Sequence, residues 1–185
     1  STTAFFSEDR RTRFELQLWA ELVSSRRDKA LVGALRSIFG ADVEQLVWTP
    51  GNELLLAYPD HAISIDAHGD GMRATLRCLM VLARLAGGML ILEEPENHQH
   101  PESLRQFARA VCTMAQSQRV QLWVNTHSVE CVRAFLNGAR DAASEAALYS
   151  FRLNDGVLDA RRFTADAVDA LDAAGTDPRY LDLYG

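Results

Sequence analysis

The feature that most constrains the fold is an alternation of two short apolar segments with two longer amphipathic ones. The apolar segments, Met89–Glu93 and Gln121–Asn125, have the length of strands and are too short for buried helices. A helical pattern follows each of them, beginning at Pro101 and at about Ser128. Because parallel strands need a crossover connection, usually a helix, this order predicts a parallel sheet. We expect an α/β fold in which these strands are buried.

Simpler patterns flank this unit. The predicted helices cover residues 8–24, 27–39, 71–86, 101–117, 128–136 and 165–173, and the predicted strands cover 43–48, 53–58, 61–66, 89–93, 121–125, 147–153 and 157–163. Gly40 is a predicted helix stop, Gly87-Gly88 another, and residues 50–52, 59–60 and 154–156 are predicted turns. The first three strands then form an antiparallel meander and the last two a hairpin. We divide the chain into a helical lead-in, 1–40, and a C-terminal lobe, 41–185.

Composition limits the classes of partner and compartment. The net charge of −6 argues against a protein whose whole surface binds nucleic acid or a membrane. No segment resembles a signal peptide, and the apolar run at 89–92 is too short to cross a bilayer. The three cysteines lie far apart without metal-ligand spacing, so they are predicted to be buried apolar side chains. We expect a cytoplasmic protein without a membrane anchor.

Carboxylates collect where the first parallel strand ends. Glu93 and Glu94 are adjacent and are followed by Pro95 and Glu96. Adjacent carboxylates repel each other unless a cation or a proton lies between them. The productive arrangement has Glu93 helping to hold Mg²⁺ while Glu94 orients and deprotonates an attacking water. The alternative is an acidic segment that only stabilises the N-terminus of the next helix.

Two further segments carry candidate binding residues. The second parallel strand ends in Asn-Thr-His-Ser, so that His127 can reach the same site as Glu94; the alternative is a helix N-cap formed by Thr126 or Ser128. Upstream, the segment His-Gly-Asp-Gly-Met-Arg at 68–73 begins a helix. Glycines at such a place expose backbone N–H groups to an anion, although simple capping gives the same pattern.

These three segments, in this order, resemble the motifs of ABC-type ATPases. MLILEEPENHQHP at 89–101 is similar to their Walker B strand and D-loop, VQLWVNTHS at 120–128 to their switch strand, and Gly-Asp-Gly-x-Arg at 69–73 to their signature segment. The nearest group is that of the overcoming-lysogenization-defect (OLD) ATPases, with relatives among the structural-maintenance-of-chromosomes (SMC) proteins. Gln99 stands where that group usually has leucine, and Ala67 and His68 stand where it usually has a serine.

The resemblance implies a role for each motif residue. Glu93 is the acid on the metal side, Glu94 the catalytic base and His127 the switch histidine that contacts the γ-phosphate. Residues of the signature and of the D-loop would meet the nucleotide across a homodimer that holds ATP and Mg²⁺. These nucleotide-binding candidates are Gly69, Asp70, Gly71, Arg73, Asn97 and His98.

A phosphate-binding loop is missing from this chain. Such a loop needs a Gly-Lys pair, but 18 of the 19 basic residues are arginine and Lys29, the single lysine, lies in a helical pattern. We therefore interpret the chain as the C-terminal lobe of an ABC-type ATPase, as a fragment, a cleaved remnant or one half of a split enzyme, and expect no ATP hydrolysis without the N-terminal half. The resemblance suggests a role in DNA maintenance or phage defence, with DNA or a nuclease as the effector.

Two other functions remain open at this point. The first is a metal-dependent hydrolase that uses Glu93, Glu94, His98, His100 and His127. The second is a degenerate module that serves dimerisation alone. DNA contact by the arginines at 73, 77 and 84, or by those at 10, 11, 13, 26 and 27, is a further alternative to ion-paired helix surfaces.

Overall fold

The computed structural model describes residues 8–39, 42–51, 53–85, 87–97 and 99–177, without the side chains of 8–12, 39 and 70. Its helices are α1 (Glu8–Ser24), α2 (Asp28–Phe39), α3 (Asp70–Arg84), α4 (Pro101–Gln118), α5 (Val129–Asp141) and α6 (Ala165–Ala173). Its strands are β1 (Gln45–Trp48), β2 (Leu54–Ala57), β3 (Ala62–Ser64), β4 (Met89–Glu93), β5 (Gln121–Asn125), β6 (Ala147–Asn154) and β7 (Val157–Thr164). The predicted α/β fold class is confirmed.

The strands pair as the sequence predicts. In the described residues β1, β2 and β3 form an antiparallel meander, β4 and β5 pair in parallel, and β6 and β7 form an antiparallel hairpin. The parallel register sets Glu93 opposite Asn125, so the two strands end at one edge. Of the predicted stop and turn residues, Gly40 and Asn52 lie outside the described residues.

Several element boundaries differ from prediction, and three C-terminal ends differ by two residues or more. The third strand ends at Ser64, and a 3-10 turn (Ile65–His68) replaces the end of the predicted strand and carries the buried Ile65 into the core. Helix α3 ends at Arg84, and the left-handed glycines Gly87 and Gly88 follow it. Helix α5 runs to Asp141 instead of stopping at about residue 136.

The core lies between the helices and one face of the parallel pair. Helix α3 is the central element, since it packs on α1, α2 and α4. Its Leu79 and Leu82 are fully buried, as are Leu31 and Leu35 of α2 and Val111 of α4. Full burial of a side chain of this size contributes about 1.5–3 kcal/mol relative to exposure. Packing in the core therefore holds two helices in place. One is α3, which begins in the glycine segment (residues 69–73), and the other is α4, which follows the β4–α4 loop.

The parallel pair is covered on one face only. Leu90, Leu92, Leu122 and Val124 pack against the core, whereas Met89, Ile91 and Trp123 on the other face are exposed. The expectation of buried strands is therefore wrong for this second face, because no described element lies over it. No helix of the described residues is long and apolar enough to cross a membrane.

Candidate active site

Two side chains meet where β4 and β5 end. Glu94 directly follows β4 with a left-handed φ of 43°, and its backbone N–H donates to the carbonyl oxygen of Asn125 at 2.8 Å. This backbone bond keeps the ends of the two strands together beyond the last paired residues. The Glu94 carboxylate lies 3.9 Å, Oε1 to Nε2, from the imidazole of His127. The predicted closeness of Glu94 and His127 is confirmed.

Local hydrogen bonds fix the segment that carries His127. Ser128 caps α5, since its hydroxyl accepts from the N–H of Cys131 at 3.1 Å. The Thr126 hydroxyl accepts from the N–H of Ser128 at 2.9 Å and donates to the Glu96 carboxylate. The predicted N-cap is therefore present at Ser128, yet it leaves His127 projecting outward, with its side chain 88% exposed.

Asn97 holds the second oxygen of the Glu94 carboxylate. Its side-chain amide donates to Glu94 Oε2 at 3.0 Å, and its backbone N–H donates to the Glu94 carbonyl oxygen at 3.1 Å. One carboxylate oxygen thus faces Asn97 while the other faces His127. In this structure Asn97 orients Glu94, which is a contact that the sequence did not predict.

Glu93 is the remaining acid at the edge. It is exposed, and its carboxylate has no hydrogen-bond or ion-pair partner among the described residues. Mg²⁺ is usually held by one or two carboxylates together with phosphate oxygens and waters. An accessible carboxylate that directly precedes Glu94 in the chain fits such a cation, because the remaining ligands come from nucleotide and solvent.

A protein-only metal centre finds less support. In the described part of the chain no three His, Cys, Asp or Glu side chains converge as metal ligands. His100, one of the candidates, caps α4 by accepting from the N–H of Glu102 at 3.3 Å. His98, which is also a candidate for nucleotide binding, lies outside the described residues.

The glycine segment begins α3. Gly69 has a φ of 86°, which favours glycine, and as the N-cap residue it has no side chain to cap the first turn of the helix. Its Arg73 does not project freely from the helix, since it donates to Asp66 and, at 2.9 Å, to the buried Glu15 of α1. Burial acts to lower the pKa of Arg73, but the hydrogen bonds that it donates to Glu15 and Asp66 outweigh this effect, and the pKa is raised. The side chain of Asp70 is not described.

Gln99 connects the glycine segment to the loop after β4. Its side-chain amide donates to the carbonyl oxygen of Gly71 and to the hydroxyl of Thr75, both at 3.2 Å. Thr75 is fully buried. The sequence signal for this contact was the departure from leucine at position 99. That signal did not indicate which residues the Gln99 side chain would contact.

The arginines of α3 form ion pairs with α1. Arg77 donates to Glu15 at 2.8 Å and Arg84 pairs with Glu21, in addition to the Arg73–Glu15 contact. The prediction of an ion-paired helix surface is confirmed for these three arginines. The side chains of Arg10 and Arg11 lie outside the described residues.

A family model described as an AAA ATPase domain matches residues 16–132. The chain belongs to this family. The matched residues include the acidic edge, His127 and the glycine segment at 69–73. The family model thus covers more than half of the chain, and every residue of the candidate site lies within the matched range.

Two curated proteins are similar to parts of this chain. The "OLD nuclease" of Thermus scotoductus (strain ATCC 700910 / SA-01) is 32% identical over 87 residues, which are 43% of this chain and 16% of the nuclease. The uncharacterized protein MJECL11 of Methanocaldococcus jannaschii is 26% identical over 84 residues, which are 45% of this chain and 74% of that protein. The chain thus spans less than a fifth of the length of the OLD nuclease.

Solved SMC ATPase structures share the fold. A chain from "Structural biochemistry of ATP-driven dimerization and DNA stimulated activation of SMC ATPases" has a TM-score of 0.55 at 11% identity, over 86% of this chain and 98% of that one. The SmcHead bound to the C-winged helix domain of ScpA has a TM-score of 0.53 at 15% identity, over 81% and 47%. The chain is therefore an AAA-type ATPase domain that is similar in sequence to a part of the OLD nuclease and in fold to SMC ATPases.

Proposed function

We propose that this chain supplies the hydrolysis side of an ATP-hydrolysing site, with Glu94 as the general base and His127 beside it. The 3.9 Å approach of the Glu94 carboxylate to the His127 imidazole at the edge of the parallel pair carries this proposal. A water bound between the two groups would attack the γ-phosphorus of ATP. An oxygen–phosphorus bond forms, the bond from the γ-phosphorus to the β–γ bridging oxygen breaks, and Glu94 accepts the proton of the water.

The neighbours of Glu94 support this role. Asn97 holds one carboxylate oxygen, which directs the other towards His127. The Glu96–Thr126 hydrogen bond joins the loop after β4 to the loop after β5. A base held by such contacts needs little reorganisation when the substrate is bound, and positioning of this kind is a main source of catalysis in phosphoryl transfer.

Glu93 would hold Mg²⁺, which when bound neutralises charge on the phosphate oxygens. Its carboxylate is exposed and lies next to Glu94 in the chain. Glu93 thereby serves the binding of nucleotide.

A homodimer would complete the site. The N–H groups at the start of α3, after Gly69, suit a phosphate from the nucleotide of the partner protomer. Asp70 and Gly71 belong to the same turn, and Gln99, which directly follows Asn97 and His98 in the sequence, bonds to Gly71. Arg73 would reach that nucleotide only by leaving Glu15 and Asp66. ATP-driven dimerization, named for one SMC ATPase of the same fold, supports this arrangement.

The phosphate-binding loop has to come from outside these 185 residues. The chain has no Gly-Lys pair, and a single arginine or backbone turn does not replace the loop lysine. We therefore propose that the chain alone does not hydrolyse ATP. The OLD nuclease relative supports a nuclease, and hence DNA, as the effector of the complete protein.

Replacement of Glu94 by glutamine in the complete ATPase tests the assignment. Glu94→Gln keeps the shape and the contact with Asn97 but removes the base, so steady-state ATP turnover should fall by about 10²- to 10⁴-fold. Glu102→Gln is the matched control, because Glu102 is an exposed glutamate on α4 that pairs with Arg105. Unchanged turnover in Glu94→Gln would show that Glu94 is not the base, and would favour a module that serves dimerisation alone.

A further inference from the structure

The third glutamate of the acidic edge is only half satisfied by its neighbours. Glu96 lies two residues after Glu94, and one oxygen of its carboxylate, Oε1, accepts a hydrogen bond from the hydroxyl of Thr126. The other oxygen, Oε2, is buried and has no hydrogen-bond partner among the described residues. A buried carboxylate oxygen without a donor destabilises the folded state. Stability alone is therefore a poor reason for a glutamate at this position.

The Glu96–Thr126 bond joins the segments that carry the two candidate catalytic groups. Glu96 belongs to the loop after β4, which begins with Glu94, and Thr126 directly precedes His127. The backbone bond from Glu94 to Asn125 holds the ends of the two strands together. The Glu96–Thr126 bond lies one residue further along the second loop. It therefore connects the loop of the base to the residue next to the histidine.

The Thr126 hydroxyl uses both its proton and a lone pair. It donates to Glu96 and accepts from the N–H of Ser128 at 2.9 Å. These two bonds hold the residues on either side of His127. The His127 side chain projects into solvent and receives little support from packing. Its position beside Glu94 therefore depends on the backbone that these bonds hold.

The first turn of α5 lies behind this link. The Cys131 side chain is fully buried there and interacts with both Thr126 and Glu96. Burial raises the pKa of the Cys131 thiol to about 12, and the Glu96 carboxylate acts in the same direction. The thiol therefore keeps its proton and adds no second negative charge beside the carboxylate. Glu96 and Thr126 are thus held against the start of a helix.

Glu96 does not fit two simpler roles. As a ligand of Mg²⁺ it has no open oxygen, since Oε1 is bonded to Thr126 and Oε2 is buried. As a carboxylate that stabilises the N-terminus of α4 it is too far away, because α4 begins at Pro101 and the effect of a helix dipole is limited to the first turn. The bond to Thr126 is the contact that remains to explain a glutamate here.

We propose that Glu96 and Thr126 are positioning residues for ATP hydrolysis, and that their hydrogen bond keeps the His127 imidazole beside the Glu94 carboxylate. The proposal rests on the proposed function, because the bond matters for turnover only if His127 takes part in hydrolysis. Glu96 and Thr126 act through that histidine and do not contact the reacting atoms. Loss of the bond should slow hydrolysis and leave the affinity for ATP unchanged, since a small displacement of a catalytic group has a large effect on rate.

Variants of the two residues in the complete ATPase test the proposal. Thr126→Val keeps the branched shape and removes the hydroxyl, whereas Thr126→Ser keeps the hydroxyl. Glu96→Leu removes the acceptor. Thr113→Val is the matched control, because the exposed Thr113 hydroxyl donates to the Arg109 carbonyl oxygen of its own helix at 2.8 Å. Single-turnover hydrolysis gives the rate, titration with a non-hydrolysable ATP analogue gives the Kd, and circular dichroism checks folding.

We expect Thr126→Val and Glu96→Leu each to hydrolyse ATP about 10- to 100-fold more slowly than the ATPase without substitutions. The Kd should stay within about twofold, and Thr126→Ser and Thr113→Val should keep the full rate. The double variant of Thr126→Val and Glu96→Leu should be at most about threefold slower than the slower single variant, because both remove the same bond. Losses that multiply would overturn the proposal. So would a Thr126→Ser variant as slow as Thr126→Val, or a Thr126→Val variant as fast as Thr113→Val.

The NMR signals of the His127 imidazole give a second readout that needs no nucleotide. In the 185-residue chain, Glu94→Gln removes a charge 3.9 Å from this imidazole and should shift its signals. The same substitution should shift them much less in a Glu96→Leu background, and fully in a Thr113→Val background. Equal shifts in both backgrounds would overturn the positioning role, whatever the rates of hydrolysis. A reduced shift together with full hydrolysis by His127→Ala would retain the Glu96–Thr126 link as what positions the imidazole, and reject the part of His127 in the proposed function.

Discussion

At the scale of single residues, the backbone conformation of Glu94 explains how its side chain reaches the site. A residue that continued β4 would alternate to the core face, but Glu94 adopts a left-handed φ of 43° and bonds to the end of β5. Its carboxylate then lies between Asn97 and His127. Non-glycine residues in this conformation are uncommon and cluster at functional sites. The local conformation thus agrees with the role that the motif implies.

Some of these contacts could be predicted and others could not. Glu94 and His127 were expected together because parallel strands end at one edge, which is a consequence of topology. The Glu15–Arg73 and Gln99–Thr75 contacts depend on how α1 and the β4–α4 loop dock on α3. Short-range sequence patterns do not encode such docking. The motif that places Arg73 in a signature segment therefore does not show that the side chain of Arg73 binds Glu15.

Gln99 gives a prediction at this scale. Gln99→Ala in the 185-residue chain removes two hydrogen bonds and leaves the buried Thr75 hydroxyl and the Gly71 carbonyl without this donor. The free energy of unfolding should fall by about 1–3 kcal/mol. Urea denaturation measures it, with Gln17→Ala as the control, because Gln17 is exposed and, among the described residues, its side chain bonds to Glu21 of its own helix. An equal, small loss in both variants would show that the Gln99 contacts contribute nothing.

At the scale of elements, α5 packs closely on α4 at a glycine inside the helix. A Cβ on Gly138 would lie 2.9 Å from the carbonyl oxygen of Ala108 and 3.1 Å from the backbone nitrogen of Arg109. Glycine is thus required by the close approach of a neighbouring helix, and it does not end α5, which runs to Asp141. The predicted helix ended at about residue 136; glycine has low helix propensity, and the tertiary contact is the reason that one is present within this helix.

Gly138→Ala should therefore destabilise the chain. The added methyl meets backbone atoms, which cannot move away as a flexible side chain can, so we expect a loss of about 1–3 kcal/mol in the free energy of unfolding. Gly33→Ala in α2 is the matched control, because nothing lies within 4 Å of its added Cβ. There the better helix propensity of alanine should add about 0.5–1 kcal/mol. Two substitutions of the same sign would contradict the close α4–α5 approach.

The order of the helices and strands was easier to predict than which faces of the strands are buried. Alternating short apolar and longer amphipathic segments predicted β4, α4, β5 and α5 within a few residues, because these periods reflect local geometry. The exposed face of β4 and β5 was not predicted. A strand that is apolar on both faces has the same sequence pattern whether or not its own chain covers both faces. Ile91 and Trp123 were therefore predicted to be buried, although both are exposed.

At the scale of the whole molecule, the acidic edge and an exposed apolar face lie next to each other. The edge holds the Glu94 carboxylate 3.9 Å from the His127 imidazole, and the 185 residues contain no Gly-Lys pair. Ile91 lies on the same face of β4 as Glu93, and Trp123 stacks on Tyr149 of the hairpin. The parallel pair is thus covered by the core on one face and exposed on the other.

The central claim is that Glu94 and His127 act on one water, and a double-mutant cycle in the complete ATPase tests it most directly. Glu94→Gln, His127→Ala and the double variant are compared by single-turnover hydrolysis at saturating ATP and Mg²⁺. Residues that act as a unit are strongly non-additive. We predict that the double variant is at most about threefold slower than Glu94→Gln alone. A loss in the double variant equal to the product of the two single losses would contradict the account.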